Sequence, residues 1–468
     1  MKRELLSLQR IKKEYRGIQI LTAINLDVFF CEIHSAEFDS SSEVKCLFDI
    51  LSGNSFADAG KILLLGENHP LNLPVNGRRS PIWCLNTECI SISSITVAEY
   101  LMLNDSGSYT LGFHMPKRQK ARAIECLKKY GITHISVQNR VCDLALIDQY
   151  ILQILRAIQY NKRLIIIKNI SDWLSSHDLI SLGKFMVRMK AMGISFLCMS
   201  SSPNSLILFA DQRTQMSDGR TIRTFEESNG VLLSDKKENV NEFLHLIRKS
   251  SKVLYSCKKL KLSQSEKDFS FDLHKGEILC ISCADYKAAT SLANQITGSA
   301  KNGEFIFSGK KVCLRGKYDA LKRKIALIQP DYERTIFPNF SLKENISIVM
   351  ERHVLYPFGL RSKRMENYAV HNALSILGEE QLYAQFKKEK LKETFSSYHQ
   401  FVLSLARYIA ANVSVFVLLN PQMSFSSSDI ADLQRCIGVL RSNKCSVIIV
   451  TVNPELFFKI CDRTVFLS

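Results

Sequence analysis

Residues 148–169, DQYILQILRAIQYNKRLIIIKN, and residues 399–420, HQFVLSLARYIAANVSVFVLLN, align without a gap and decide the fold. Each stretch starts with apolar residues at helical spacing, passes through a short polar loop and ends in consecutive aliphatic residues. This pattern predicts an amphipathic helix, a loop and a fully buried strand. The same unit therefore occurs twice in the chain, 251 residues apart.

Two further correspondences support this repeat. VAEYLML at residues 97–103 corresponds to LKENISI at residues 342–348, and Asp211 corresponds to Asp462. The period is far longer than that of a solenoid repeat, which indicates a duplicated domain.

Each half of the chain alternates strands with helices. After the buried strand, both halves show a helical pattern and a second apolar strand, which together make a βαβ unit. Continuous apolar strands joined by helices predict a parallel sheet covered on both faces. The predicted fold class is therefore α/β, with a first domain at residues 1–240, a second at residues 241–468 and a charged join near residues 236–261.

The composition is that of an ordinary soluble globular protein, with 46% hydrophobic and 23% charged residues. The net charge of +17 could favour nucleic acid or an anionic membrane face, but it is spread along the chain, which favours a diffusely basic cytosolic protein. The charged start predicts no secretion signal, and no apolar run reaches the ~18 residues of a membrane span. The single CxxC, Cys280 to Cys283, has no second pair nearby, so we expect no metal site.

Several segments resemble the tandem ATP-binding-cassette (ABC) subunit of bacterial carbohydrate importers of the ribose/galactose type. Besides LKENISI they are ITVAEYLMLN (95–104), FADQRTQMSDGR (209–220), HKGEILCI (274–281) and NPELFFKICDRTVFLS (453–468). The resemblance covers nearly the whole chain. It implies two tandem ABC-type cassettes, each a mostly parallel sheet flanked by helices with a helical subdomain, and it implies ATP as the ligand.

The phosphate-binding loops that the resemblance implies have lost their glycines. A GxxxxGK[ST] loop works because glycines let successive backbone N–H groups point at the phosphates ahead of a helix. No glycine lies between Gly17 and Gly53 in the first half, or between Gly276 and Gly298 in the second. We therefore expect weak or absent ATP binding.

Few side chains of these loops survive. The lysine positions of the family are held by Val44 and Ala289. Lys45 stands one residue away, and Thr290 keeps a hydroxyl where the family contacts magnesium. Glu43, at a glycine position, is predicted to repel phosphate.

The carboxyl ends of the two repeated strands read Lys168–Asn169 and Leu419–Asn420. The family places there an Asp that holds Mg²⁺ and a Glu that polarises the attacking water. Neither lysine nor leucine supplies an oxygen ligand to a hard cation, and asparagine cannot accept a proton from water. These four residues are the degenerate catalytic positions, and we predict no magnesium site.

Other motifs of the family are equally reduced. The signature segments read LALIDQ (144–149) and FSSYHQ (395–400), and the glutamine loop falls on Asn86–Thr87 in the first half. Ser396 keeps the signature serine, and Tyr15 stands where an aromatic ring stacks on adenine, although it also fits a surface tyrosine beside a turn. The candidate nucleotide-binding remnants are therefore Tyr15, Lys45, Thr290 and Ser396.

The leading hypothesis is a degenerate, non-hydrolysing ABC-type subunit with weak or absent ATP binding. One alternative is an active ATPase subunit of a sugar importer, which the overall resemblance favours and the motifs oppose. The other is a cytosolic regulatory or nucleic-acid-binding scaffold of the tandem-cassette type, which the net charge allows.

The resemblance implies a membrane permease as the partner. It also implies a homodimer or a heterodimer with a related subunit, because cassette sites combine the phosphate loop of one subunit with the signature of the other. Nucleic acid is not the expected partner, since translation-factor cassettes keep intact phosphate loops and a long charged linker. The expected location is the cytoplasm, including the inner face of the plasma membrane.

Overall fold

A computed structural model describes most of the chain. The described residues are 3–15, 18–69, 80–85, 95–103, 109–110, 113–114, 116–201, 208–226, 252–261, 268–300, 302–330, 336–337, 339–350, 363–381, 397–423, 425 and 429–467. The chain forms two compact units, Met1–Leu232 and Leu233–Ser468. The predicted boundary between residues 240 and 241 lies outside the described residues.

The first unit combines one large sheet with helices. Its strands are β1 (Glu4–Tyr15), β2 (Ile18–Phe29), β3 (Ile33–Glu37), β4 (Ala59–Leu64), β5 (Glu67–His69), β6 (Ile82–Cys84), β7 (Tyr109–Thr110), β8 (Phe113–His114), β9 (Leu164–Lys168), β10 (Ser195–Ser200), β11 (Gln212–Ser217) and β12 (Arg220–Glu226). Its α-helices are α1 (Ser41–Leu51), α2 (Val97–Leu101), α3 (Pro116–Lys129), α4 (Leu146–Gln159) and α5 (Ser176–Ala191).

The second unit divides its strands between two sheets. Its strands are β13 (Val253–Leu260), β14 (Phe269–His274), β15 (Ile278–Ser282), β16 (Glu304–Phe307), β17 (Lys310–Val312), β18 (Ile325–Ile328), β19 (Val415–Leu419), β20 (Ser446–Thr451) and β21 (Arg463–Phe466). Its α-helices are α6 (Tyr286–Asn294), α7 (Lys317–Lys322), α8 (Leu342–Ser347), α9 (Lys363–Leu377), α10 (Ser397–Ala410) and α11 (Asp429–Ser442).

Both units contain the same parallel block of strands. Its order is β11-β3-β10-β9-β6 in the first unit and β21-β15-β20-β19-β18 in the second. All neighbours within these blocks run parallel. The central strands are buried on both sides, as expected for parallel strands covered by helices. The predicted strand–helix–strand units are confirmed in both halves.

Antiparallel strands complete each unit. In the first unit β5, β4, β1, β2 and β12 extend the parallel block into a ten-stranded sheet. In the second unit β14, β13, β16 and β17 form a separate sheet. Apolar side chains of these strands pack with those of the parallel block and with α1 or α6, which gives each unit its core on this side.

The backbone repeats the duplication in detail. Equivalent ion pairs join α5 to Asp211 through Lys190 at 2.7 Å and α11 to Asp462 through Arg441 at 2.8 Å. Each aspartate also accepts a 2.9 Å hydrogen bond from the first backbone N–H of a parallel strand, at Ile33 or Ile278. Helices α2 and α8 both start with a capping box, in which a Glu and a Ser or Thr hydrogen-bond each other's backbone N–H. The predicted repeat of these segments is confirmed.

None of the helices in the described part of the chain is long and apolar enough to cross a membrane.

Candidate functional site

The first phosphate-loop position is a short, capped helix start. Strand β3 ends at Glu37 and α1 begins at Ser41, so only three residues separate them. The Ser40 hydroxyl caps the helix by accepting the Ser42 backbone N–H at 3.2 Å. An eight-residue GxxxxGK[ST] loop needs extended backbone ahead of the helix, whereas most of this stretch is already helical.

The second phosphate-loop position has the same form and carries a negative charge. Three residues separate the end of β15 at Ser282 from the start of α6 at Tyr286. The Asp285 carboxylate caps α6 by accepting the Ala288 backbone N–H at 2.7 Å, and the residue is only 6% exposed. A helix N-terminus attracts one anion, and here the protein supplies that anion itself.

The side chains at the predicted lysine positions point into the core. Val44 and Ala289 are both fully buried among the apolar residues of their units. Lys45 lies on the exposed side of α1, next to Val44. The Thr290 hydroxyl is buried in α6 and makes no hydrogen bond with the described residues. The structure therefore separates the two predicted remnants by burial: Lys45 is exposed and the Thr290 hydroxyl is not.

Glu43 has a role that differs from the predicted repulsion of phosphate. It is 7% exposed, and its Oε1 accepts the Gly219 backbone N–H at 3.1 Å, which ties α1 to the turn between β11 and β12. Burial raises the pKa of the Glu43 carboxyl to about 7, helped by nearby Asp39 and Asp218, while the Gly219 N–H opposes the rise. Glu43 is thus a structural carboxyl of the first unit.

Lys168, at the magnesium position of the first unit, lies over an aromatic ring. Its Nζ is 4.3 Å from the centroid of the Phe48 ring on α1. Such a cation–π contact accommodates a half-buried ammonium group beside apolar surroundings. In the second unit the equivalent Leu419 is fully buried in the core. Both side chains therefore pack against their own unit.

Asn169 and Asn420 connect the tips of neighbouring strands. The Ser201 backbone N–H donates to Asn169 Oδ1 at 3.1 Å, and the Val452 N–H donates to Asn420 Oδ1 at 2.9 Å. The resemblance implies a switch histidine after these strands, and its expected positions are Ser201 in the first half and Val452 or Asn453 in the second. Each asparagine oxygen therefore joins the end of β9 or β19 to the residue that follows β10 or β20.

Both asparagines have left-handed backbone conformations, with φ of 43° at Asn169 and 38° at Asn420. Asparagine tolerates this region better than most residues. A second polar contact lies beside each one. Ser171 Oγ is 3.4 Å from Ser200 Oγ in the first unit, and Gln422 Nε2 donates to Thr451 Oγ1 at 3.0 Å in the second. We did not predict this strand-tip network from the sequence, although both pairs recur at the 251-residue period.

The signature segment of the first unit is turned inward. Helix α4 begins at Leu146 with no side-chain cap, and Gln149 is buried with its Nε2 donating to the Leu144 carbonyl at 3.1 Å. In the second unit Ser396 lies outside the described residues. Its neighbour Tyr398, at a signature glycine position, donates to Glu379 Oε1 at 2.7 Å and lies 3.4 Å from the Cys436 sulfur.

Tyr398 fixes the start of α10 against the rest of the second unit. The Arg435 guanidinium donates to its hydroxyl at 3.0 Å, so α11 and α10 meet at this ring. Burial and the hydrogen bonds with Cys436 and Glu379 raise the pKa of Tyr398 well above its usual value. A tyrosine held in this way leaves no room for the close backbone approach that the signature glycines allow.

The remaining predicted residues lie apart from these positions. Tyr15 is 54% exposed at the end of β1, where it pairs with Ile18 across the β1–β2 hairpin. Asn86 and Thr87 lie outside the described residues. Within the described ranges no group of three His, Cys, Asp or Glu side chains is placed to hold a metal ion.

Relatives of the chain are carbohydrate-import proteins. It is 23% identical to a putative ribose/galactose/methyl galactoside import ATP-binding protein of Agrobacterium fabrum, over 98% of this chain and 92% of that protein. It is 24% identical to a ribose import ATP-binding protein of the same organism, over 98% and 92%. A ribose import ATP-binding protein of Rhizobium meliloti is 22% identical over 98% and 91%. No family model matches the chain.

Solved structures give a weaker likeness. A nucleotide-free ATP-binding cassette from an ABC transporter is 18% identical with a TM-score of 0.42, covering 50% of this chain and 96% of that one. A cassette with ADP and Pi after hydrolysis is 18% identical with a TM-score of 0.40, covering 48% and 100%.

The parallel blocks and the duplicated strand tips give an α/β fold of two repeated units, as predicted, and its size fits two tandem cassettes. The predicted resemblance to ABC subunits of carbohydrate importers, of the ribose/galactose type, is confirmed by relatives that match almost the full chain.

Proposed function

We propose that this chain is a non-hydrolysing tandem-cassette subunit that binds ATP weakly or not at all. The folded chain is a partner of a membrane permease, and it is located in the cytoplasm at the inner face of the plasma membrane. The observation that carries the proposal is the capped helix start at both phosphate-loop positions, above all the Asp285 carboxylate on the Ala288 N–H.

Three losses support weak nucleotide binding. The predicted lysine positions hold buried aliphatic residues in both units, the loop glycines are absent, and the Ala288 N–H at the start of α6 donates to the Asp285 carboxylate. Each charge-assisted hydrogen bond that is lost removes about 1.5–3 kcal/mol of binding free energy. Three such losses weaken a micromolar site by about 5–9 kcal/mol, which takes its Kd beyond the millimolar range.

The strand tips support the absence of hydrolysis. Asn169 and Asn420 use their side-chain oxygens to bind backbone N–H groups of the neighbouring strand. An amide also cannot take a proton from an attacking water at neutral pH. Neither Lys168 nor Leu419 can hold a magnesium ion, so no Mg²⁺ site is proposed.

A permease is the proposed partner because the relatives are named import ATP-binding proteins. The helical part of the first unit, including α2 and α3, is the proposed region of contact. A homodimer or a heterodimer with a related cassette subunit is proposed for the assembly, and no nucleic acid.

Titration calorimetry with Mg-ATP tests the nucleotide proposal. We expect no heat of binding that corresponds to a Kd below about 1 mM, and no phosphate release above buffer background. An intact tandem-cassette importer subunit serves as the positive control under the same conditions. A low-micromolar Kd, or turnover by the purified chain, would refute the proposal.

Affinity capture from the native membrane tests the partner. We expect a protein with several apolar spans to copurify with the full chain after detergent extraction. Recovery of ribosomes or RNA in place of such a protein would contradict the transport assignment.

A further inference from the structure

Helix α3 has a markedly unbalanced charge. Its 14 residues read PKRQKARAIECLKK and contain a single acidic residue, Glu125. The cations of the helix are Lys117, Arg118, Lys120, Arg122, Lys128 and Lys129. The excess charge on α3 is therefore local, whereas that of the whole chain is spread out.

The apolar side of α3 is already occupied. Ala123, Cys126 and Leu127 are buried in the first unit, so the helix packs through this side. The opposite side is exposed along the helix. Packing of the apolar side therefore holds the charged side outward, and α3 can fold without a partner bound to it.

One line of side chains on the exposed side combines three lysines with an apolar residue. Lys117, Lys120, Ile124 and Lys128 follow one another at spacings of three or four residues, which puts them on a single line along the helix. We call this line the α3 cationic face. It extends over about 17 Å, and Ile124 at its middle is 41% exposed.

Among the described residues, the lysines of the α3 cationic face have no ion-pair partner. No carboxylate of the described residues forms an ion pair with Lys117, Lys120 or Lys128. At the end of the helix another cation is close: a methyl group added to Gly131 would lie 3.2 Å from Nη1 of Arg188. The guanidinium of Arg188 on α5 thus adds a cation near the carboxyl end of α3.

We propose that the α3 cationic face docks on anionic phospholipid headgroups at a membrane surface. Lysines attract the anionic leaflet, and an apolar side chain among them can enter the headgroup boundary, which is the combination used by proteins that lie on membranes. This surface contact goes beyond the proposed function, because it requires neither nucleotide nor permease. It assigns the exposed side of α3 to lipid and leaves the rest of the helical region, including α2, for the permease.

The side chains of the face favour lipid over nucleic acid. Base edges are read by Asn, Gln and Arg, and single strands are bound by aromatic side chains. The α3 cationic face has neither an aromatic residue nor an arginine, since Arg118 and Arg122 lie off this line, and the one amide of the helix, Gln119, is buried. Lysines around an isoleucine supply charge and apolar contact, which suits a headgroup layer.

Vesicle cosedimentation with the full-length chain, without nucleotide, tests the proposal. We expect binding to vesicles of phosphatidylcholine with phosphatidylglycerol, no binding to phosphatidylcholine alone, and loss of binding as NaCl rises from about 0.05 to 0.5 M. The triple variant Lys117→Gln/Lys120→Gln/Lys128→Gln should lower partitioning onto the anionic vesicles about 100-fold.

The matched control removes the same charge elsewhere. Lys61→Gln/Lys444→Gln/Lys459→Gln changes three exposed lysines outside α3 and should leave vesicle binding intact. Equal losses in the two triple variants would overturn the proposal, because the effect would then follow net charge. Absence of wild-type binding to anionic vesicles would also overturn it. So would preferential binding to RNA or duplex DNA that only the α3 variant loses.

This test does not depend on the nucleotide measurements. If calorimetry finds tight ATP binding while the α3 variant still loses vesicle binding, the proposed function fails and the membrane inference stands. If calorimetry finds no ATP binding while the α3 variant still binds vesicles as the wild type does, the membrane inference fails and the proposed function stands.

Discussion

Single residues at the predicted catalytic and phosphate-loop positions have structural partners within their own unit. Asn420 is fully buried, and its side-chain oxygen accepts the Val452 N–H. Lys168 lies over Phe48, and Glu43 accepts the Gly219 N–H. Each of these three side chains therefore stabilises the unit to which it belongs.

The buried Glu43 carboxyl leads to a prediction about how the stability of the first unit depends on pH. Its pKa of about 7 in the folded state exceeds the value of 4.5 expected when it is exposed by unfolding. The unfolded chain therefore loses this proton first, so the free energy of unfolding falls as pH rises from about 4.5 to 7. Glu43→Gln removes this loss and should raise the free energy of unfolding of the first unit by about 3 kcal/mol at pH 8.

Urea unfolding at pH 4.5 and pH 8 measures this effect. The variant should match the wild type at the lower pH and exceed it at the higher one. Glu67→Gln, which changes an exposed glutamate of β5, is the control and should leave the pH dependence unchanged. A Glu43→Gln variant that is less stable than wild type at pH 8 would contradict the prediction.

At the scale of elements, the helix starts are the decisive feature. In both units three residues lie between the end of a parallel strand and the start of α1 or α6, and both helices have a polar N-cap. A capped N-terminus satisfies N–H groups that a phosphate would otherwise bind. Both helices pack in the core of their units, and their capped starts support the proposal that neither forms a phosphate cradle.

The cap of α6 can be tested by exchanging its residue. Asp285→Ala should lower the stability of the second unit by about 1 kcal/mol, because the Ala288 N–H loses its acceptor. Asp285→Ser keeps a side-chain acceptor without the charge and should preserve stability. Thermal unfolding followed by circular dichroism measures both.

Neither Asp285 variant should gain ATP binding, because the glycines and the lysine are still absent. Tight binding of Mg-ATP by Asp285→Ser would show that the carboxylate alone excludes nucleotide.

The sequence predicts some elements well and others not at all. The strands β9, β10, β19 and β20 follow from their unbroken apolar runs, and the repeat fixes their pairing in both halves. The antiparallel strands escaped prediction, because β1 and β2 are long, irregular and interrupted by register shifts. We also did not predict that α1 and α6 begin within the stretch aligned to the GxxxxGK[ST] motif. The alignment assigns motif positions to residues and does not indicate where a helix begins.

The site was predicted as a set of losses, and its new contacts were not. The sequence alone shows that neither Asp nor Glu stands at the ends of β9 and β19. The hydrogen bonds of Asn169 and Asn420 are not, because they depend on which backbone N–H of the next strand lies opposite. Tyr398 likewise meets Glu379 and Arg435 through tertiary packing, which no local pattern records.

At the scale of the whole molecule, the duplication is preserved down to individual hydrogen bonds. Asp211 and Asp462 each bind a strand N–H and a cation from the helix before it, at nearly equal distances. Matching geometry implies matching energetics, since burial and partners are alike.

Asp211→Asn and Asp462→Asn should therefore destabilise their units by similar amounts, about 1–3 kcal/mol each. Denaturant unfolding of the two single variants measures the losses. Glu304→Gln, which removes an exposed ion pair with Lys311, serves as the control and should leave the midpoint unchanged. A large loss in one aspartate variant and none in the other would show that the halves have diverged energetically.

The buried amide of Asn420 also bears on how this chain could evolve. A carboxylate introduced there would be buried next to the apolar Leu419, so Asn420→Glu is expected to weaken the fold of the second unit. Under the proposed function, a return of hydrolysis would require several replacements at once around the strand tip. Descendants of this chain are then expected to diversify in what they contact rather than in what they catalyse.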